Sequence, residues 1–191
     1  MKSHFFAYVS RMRNIPRWAL MRNTFSENVQ EHSHMVAVLA HALAVIRNEI
    51  FGGTLDAGQV AVYALYHDAT EIMTGDMPTP IKYYNPEIKS SYRKVESIAA
   101  DKLISLLPPE LRESYRPVLH GEDEEIHRLV KAADKLSAHI KCLEEIKAGN
   151  MEFKRAAEQT RTALEEMKLP ELDWFMEHCM DSFSMTLDEL E

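Results

Sequence analysis

Turn-forming residues are scarce in this sequence: 191 residues include six glycines and eight prolines, where average usage of the two together is roughly 12%. A fold of many short strands needs more turns than that, so long helices are favoured. Cysteine is nearly absent. Cys142 and Cys179 are the two present and form no CxxC, which excludes a disulfide framework or a thiolate metal cluster and suits a reducing cytosol. Positive charge is in deficit, with 22 Lys and Arg against 30 Asp and Glu and a formal net charge of −8. That field repels nucleic-acid polymers and anionic membranes, and the sequence shows no local basic patch to offset it. No run of 18 apolar residues occurs, and the N-terminal MKSHFFAYVSRMRNIPRW has an apolar patch but neither a sustained hydrophobic region nor a cleavage site. With 46% of positions hydrophobic, the chain has material for a sizeable core. The expectation is one acidic, soluble, cytoplasmic, all-helical domain over residues 1–191.

The apolar positions that are present support this. Within 27–50, Val29, His32, Val36, Leu39, Leu43, Ile46 and Ile50 recur at steps of three or four and predict a helix. A capping box opens it, either Thr24 with Glu27 or Asn28 with Glu31, and Gly52-Gly53 stops it. A second helix is predicted from the cap Asp56 to Gly75, apolar almost all round and therefore the most buried. The stretch GDMPTP cannot continue it, because Pro78 and Pro80 remove donors and disfavour helical geometry in the residue before each. Further helices are predicted from Pro86, capped by Asn85, to Pro108, then over 109–116, 122–147, 151–167 and 171–180. No segment alternates as a strand does, and there is no internal repeat or domain boundary.

Candidate chemistry sits on the inward faces of three of these helices. His32 lies in line with Val29, Val36 and Leu39. His67-Asp68 falls within the buried second helix, where two ionisable side chains must be paired or metal-bound. Asp134 follows Ala132-Ala133 in the 122–147 helix, on the side of Val130 and Ser137, although a surface pair with Lys131 is the plainer reading of that residue alone. Together they make a mixed nitrogen and oxygen set suited to a divalent ion such as Mn²⁺, Co²⁺, Fe²⁺ or Zn²⁺, with positions left for water. A metal so held acidifies water and polarises a phosphoryl oxygen. Glu71, four residues after His67, shares their helical face. Arg17 offers a planar guanidinium that can clamp a phosphate, and Trp18 a rigid surface for sugar or base. His34, His41 and His139 are expected to be structural.

The order H…HD…D on successive long helices resembles the HD-domain metal-dependent phosphohydrolases. Within them, RWALMR, ENVQEHSHMVAVLAHAL, YHDATEIMTGDMPTPIKY and KAADKLSAHIKCLEEIKAGN resemble the bacterial 5′-deoxynucleotidases over nearly the whole chain. The resemblance implies a compact helical HD-domain bundle, usually a homodimer, that hydrolyses deoxyribonucleoside 5′-monophosphates with one divalent ion per chain, cobalt, manganese or similar. It implies that His32, His67, Asp68 and Asp134 are the metal ligands and that Glu71 is the catalytic carboxylate. It further implies that Asp76 orients the attacking water, with Met77, Pro78 and Thr79 following in the substrate loop. Arg17 and Trp18 would then orient the phosphate and exclude the ribose 2′-hydroxyl.

Two other readings compete at this point. One is an HD phosphohydrolase of cyclic or hyperphosphorylated nucleotides. The other is a non-catalytic helical regulatory protein with a structural metal, against which Glu71 and Asp76 argue, because a structural site needs neither.

Overall fold

A computed structural model describes residues 2–82 and 84–190, and among them the regular structure is helical. The helices are α1 (Phe5–Val9), α2 (Val29–Phe51), α3 (Ala57–Tyr66), α4 (Glu71–Thr74), α5 (Thr79–Lys82), α6 (Pro86–Ser105), α7 (Pro109–His120), α8 (Glu124–Lys147), α9 (Lys154–Glu166) and α10 (Pro170–Cys179). Extended pairing among the described residues is an isolated antiparallel bridge between Pro16 and Asn28.

Local chemistry sets the ends of these helices. Asn28 caps α2, its side chain accepting from the Gln30 and Glu31 N–H groups while the Glu31 carboxylate accepts from the Asn28 N–H. This is the second of the two capping boxes open in the sequence, and such a cap stabilises by about 1 kcal/mol. Gly52 closes α2 in the left-handed conformation at φ 70°. Asp56, Asn85 and Asp123 cap α3, α6 and α8.

Helix α2 is the axis of the main core. Val36, Leu39, Ala40, Leu43 and Ala44 meet Val60 and Ala64 of α3, Leu129, Val130, Ala133 and Leu136 of α8, and Leu172 and Phe175 of α10. A second core joins α1 to α6 and α7, with Phe5 fully buried against Leu103, Ile104 and Leu107 and edge-on to Tyr115. Helix α2 is also apolar beyond its core stripe: Met35, Val38 and Val45 are exposed on it, as are Val62 and Leu65 on adjoining α3.

One expectation needs correcting. The predicted helix from Asp56 to Gly75 is broken, with α3 ending at Tyr66, a turn over 67–70, and α4 resuming at Glu71. His67 and Asp68 therefore stand in a turn between two helices rather than inside one. The sequence carries no Gly or Pro to announce this break. The turn is closed by hydrogen bonds from the Ala69 N–H to the Tyr66 carbonyl (3.0 Å) and from the Glu71 N–H to the Asp68 carbonyl (3.0 Å).

Candidate metal and substrate site

His32 projects from the first turn of α2 and is fully buried. Its Nδ1 lies 3.2 Å from the Ser137 hydroxyl of α8, and its Nε2 lies 3.0 Å from Asp134 Oδ1 and 3.7 Å from Asp68 Oδ2. His67 has the same polarity. Its Nδ1 lies 2.7 Å from the Ala64 carbonyl, which can only accept, so Nδ1 carries the proton and Nε2 presents a lone pair. That Nε2 is buried without a hydrogen-bond partner, although it approaches Asp68 Oδ2 to 3.0 Å. Ligand atoms of His32, His67 and Asp68 all lie within 4.8 Å of one another, and Asp134 joins them through His32.

The donor set fits a divalent cation. Two imidazole nitrogens and two carboxylates converge, each imidazole is oriented by a partner on its far nitrogen, and the lone pair of His67 is otherwise orphaned in the interior. The electrostatics agree. Burial alone would raise the pKa of Asp68, but His67 and then His32 outweigh it and bring it down to about 2. Asp134 is likewise held below the usual carboxylate range, because the His32 hydrogen bond and charge overcome its desolvation. Both carboxylates stay ionised beside the two imidazoles, where a cation would sit.

Glu71, at the start of α4, behaves in the opposite way. It is buried with Oε2 unpartnered, and burial, followed by the charges of Asp68 and Asp76, pushes its pKa up to about 9. At neutral pH it therefore holds a proton. Asp76 follows Gly75, whose φ of 71° with ψ of 164° is a conformation almost confined to glycine. The chain turns there, and Asp76 comes near enough to share the field of Asp68, Arg17 and His32; its pKa is raised chiefly by burial.

Arg17 enters from the loop after α1. Its Nη1 is 3.4 Å from Asp68 Oδ2, and its Nε donates to Glu27 Oε2 at 3.2 Å. Burial opposes the charged guanidinium, but Asp68, Asp134, Glu27 and Asp76 outweigh it and raise its pKa. Trp18 stands beside it at φ 56°, donating from Nε1 to the same Glu27 oxygen at 3.2 Å and resting on Phe153 with ring centroids 5.3 Å apart.

The structure thus gathers Arg17, His32, His67, Asp68, Glu71, Asp76 and Asp134 and ties Trp18 to Arg17. Met77 and Pro78 are half-buried in the loop after Asp76, and Pro78 starts α5 by accepting from the Ile81 and Lys82 N–H groups. No described contact joins either to the cluster. Thr79 begins α5, but its side chain lies outside the described residues.

Residue-level similarity to other proteins runs the length of the chain. A sequence profile described as 5′-deoxynucleotidase YfbR-like matches residues 4–183. The chain belongs to the YfbR-like 5′-deoxynucleotidase family. It is 51% identical over 191 residues to a 5′-deoxynucleotidase of Vibrio vulnificus, covering 99% of this chain and 98% of that one. It is 52% identical over 190 residues to one of Yersinia pseudotuberculosis, covering 98% and 96%. Among solved structures, an HD-domain phosphohydrolase from Listeria innocua superposes with a TM-score of 0.82 at 24% identity, covering 94% of this chain and 88% of that one. The cyanophage S-2L HD phosphohydrolase, bound to dA and one catalytic Zn²⁺ ion, superposes with a TM-score of 0.65 at 23% identity, covering 94% and 96%. Both share the all-helical fold.

Several residues that support this cluster or the loop carrying Arg17 and Trp18 were not legible in the sequence. Glu27 drew notice only as a possible capping partner, and Ser137 only as a neighbour of Asp134. The buried pair of Lys141 and Glu145 was masked by the apolar stripe of α8: Lys141 Nζ donates to Glu145 and, at 2.7 Å, to the Phe25 carbonyl. Its one visible signal was the i, i+4 charge spacing. Of the unassigned histidines, His139 is buried with Nδ1 2.9 Å from the Thr160 hydroxyl, whereas His34 and His41 are exposed. A structural role holds for the first alone.

Proposed function

We propose that this chain hydrolyses deoxyribonucleoside 5′-monophosphates to deoxynucleoside and phosphate, with one divalent ion per chain held by His32, His67, Asp68 and Asp134. The observation that carries the reading is the convergence of ligand atoms of His32, His67 and Asp68 within 4.8 Å, with the Arg17 guanidinium against Asp68 and the buried Glu71 carboxyl a turn away. Cobalt or manganese suits this set of borderline and hard donors, as does zinc. When bound, the ion supplies positive charge for the phosphoryl oxygens and acidifies water.

The remaining steps belong to the chain's own residues. Arg17, already aimed at the cluster, binds the phosphate of the substrate through its Nη groups. Asp76 accepts a hydrogen bond from the attacking water and holds it opposite the 5′-oxygen. Glu71, protonated at neutral pH, donates its proton to that oxygen as the P–O bond breaks. Phosphoryl transfer asks mainly for position and charge, so no serine or cysteine nucleophile takes part. Trp18 closes the sugar side and disfavours a 2′-hydroxyl, while Met77, Pro78 and Thr79 form the loop beside the substrate.

Residues 1–191 act here as one catalytic domain of a cytoplasmic homodimer. Support for the dimer is the apolar strip Met35, Val38, Val45, Val62 and Leu65, exposed along two adjoining helices. Support for the compartment is a pair of unbonded cysteines, Cys142 and Cys179.

The direct test is phosphate release from dAMP by metal-replete protein. Turnover is expected, together with its loss in Asp68→Ala. Wild-type turnover in that variant would refute the assignment.

A further inference from the structure

Arg17 and Trp18 are consecutive residues, and in an extended chain their side chains would point to opposite sides. Here they do not. A single atom, Glu27 Oε2, accepts from both Arg17 Nε and Trp18 Nε1, each at 3.2 Å. This is possible because Trp18 adopts φ 56°, a left-handed conformation unfavourable for a bulky residue, which persists only where the surroundings over-determine it. The surroundings do so. The backbone N–H of Arg17 donates to the Glu27 carbonyl at 2.9 Å, and the Val29 N–H donates to the Ile15 carbonyl at 3.0 Å, closing the base of the loop. Asn23 Nδ2 donates to the Trp18 carbonyl at 3.3 Å. The loop tip is fastened to α8 and to the turn that follows it: the Thr24 N–H donates to Glu145 of α8 at 2.9 Å, and Asn150, beyond the end of α8, donates from Nδ2 to the Arg22 carbonyl at 2.7 Å.

We propose that Glu27 is a positioning residue that locks Arg17 and Trp18 into one unit, so that the sugar seen by Trp18 and the phosphate held by Arg17 are sensed together. The proposal rests on the reading above, in which Arg17 meets the phosphate and Trp18 the sugar. The guanidinium is held at Nε by Glu27, while its Nη1 faces Asp68 at 3.4 Å. The indole is held at Nε1 by the same oxygen, while its ring lies on Phe153, which is fully buried. Each side chain thus has one fixed edge and one working edge. Displacing the indole pulls on the carboxylate, and the carboxylate is what aims the guanidinium. A 2′-hydroxyl that pushes Trp18 aside therefore also misplaces Arg17, and the ribose penalty appears in kcat as well as in KM. Among the described contacts, the Glu27 carboxylate bonds to Arg17 and Trp18 and to none of His32, His67, Asp68 or Asp134.

The experiment compares wild type, Glu27→Gln and Glu27→Ala, all in a Trp174→Phe background. Trp18 and Trp174 are the two tryptophans of the chain, so Trp18 then reports alone by fluorescence. Steady-state rates are measured with dAMP and AMP in metal-replete buffer. Glu27→Ala is expected to shift the Trp18 emission, to raise KM for dAMP about tenfold, and to shrink the ratio of kcat/KM for dAMP over AMP by at least about tenfold. Glu27→Gln keeps an acceptor oxygen but no charge. It is expected to retain the Trp18 emission while losing affinity for phosphate, and it is nearly isosteric should the alanine variant fail to fold. An unchanged dAMP to AMP ratio in variants whose activity falls equally on both substrates would overturn the proposal and leave Glu27 a structural residue. So would an unshifted Trp18 emission in Glu27→Ala. A wild-type protein indifferent to the 2′-hydroxyl would instead strike the sugar role of Trp18, and the coupling would fall with it.

Discussion

The Ser137 hydroxyl lies 3.2 Å from His32 Nδ1, on the far side of the ring from Asp134. This contact joins two helices at a buried point and decides which nitrogen of His32 faces the cluster. A partner of that kind fixes the tautomer and orientation of a ligand, and its loss typically costs about 10–100-fold in metal affinity. Ser137→Ala removes one oxygen without making a large void. Calorimetric titration with Mn²⁺ or Co²⁺ is expected to show affinity lower by about that factor with the fold intact. Unchanged affinity would mean that packing alone orients His32.

Glu71 is protonated because burial and the neighbouring carboxylates Asp68 and Asp76 oppose its charge. As a proton donor it must lose effectiveness as pH rises, so kcat is expected to fall on an alkaline limb above neutrality. Glu71→Gln should lower kcat for dAMP by about 10²–10⁴-fold with little change in KM, and its residual rate should lack that limb. A glutamine variant that keeps the wild-type alkaline limb would assign the titration to another group.

Glu145 provides a stability test remote from the chemistry. Burial works against its charge, but hydrogen bonds from Lys141, the Thr24 N–H and Asn150 outweigh that and hold its pKa down to about 2, below the ordinary 4.5. A depressed carboxylate stabilises the fold above its unfolded pKa and loses that contribution as pH falls from about 4.5 towards 2. Glu145→Gln leaves the Lys141 ammonium buried without its counter-charge and should cost about 3–5 kcal/mol at pH 7. Urea unfolding at pH 7 and pH 3 is expected to show the gap between wild type and variant narrowing in acid. A constant gap would contradict the ion-pair account.

Metal removal should register in stability as well as in activity. A ligand present at 100 times its dissociation constant stabilises the folded state by about 2.7 kcal/mol. For a chain of this size that corresponds to roughly 5–11 °C in Tm. Thermal scans with Mn²⁺ and with chelator should differ by that order, and Asp134→Ala should abolish the difference. A wild-type Tm insensitive to chelator would contradict a metal held by these four residues.

The helices were legible in the sequence because periodicity, capping residues and the sparse Gly and Pro all point the same way, as at Asn28, Asp56 and Asn85-Pro86; the cap Asp123 was not read, and the helix it opens begins at Glu124 rather than Glu122. The break after Tyr66 was not legible, since no Gly or Pro stands there and the turn is closed by backbone hydrogen bonds and by the His67 side chain on the Ala64 carbonyl, which periodicity does not reveal. The convergence of His32, His67, Asp68 and Asp134 could be anticipated from polar residues on apolar faces. The partners Glu27 and Ser137 could not, because a glutamate near a helix start and a serine in a helix have common alternatives. Charge was the least legible property. A net charge of −8 counts Asp68 and Asp134 as free anions, whereas both face His32 Nε2, and Asp68 has Arg17 alongside.

The central claim is that this site releases phosphate from a deoxyribonucleoside 5′-monophosphate. Its most direct test is phosphate release from dAMP, AMP and the deoxyadenosine 3′-monophosphate, each with Co²⁺ and with chelator. Rapid release from dAMP alone, dependent on metal, is the predicted result. Release from the 3′-monophosphate at an equal rate, or from dAMP undiminished by chelator, would contradict the account.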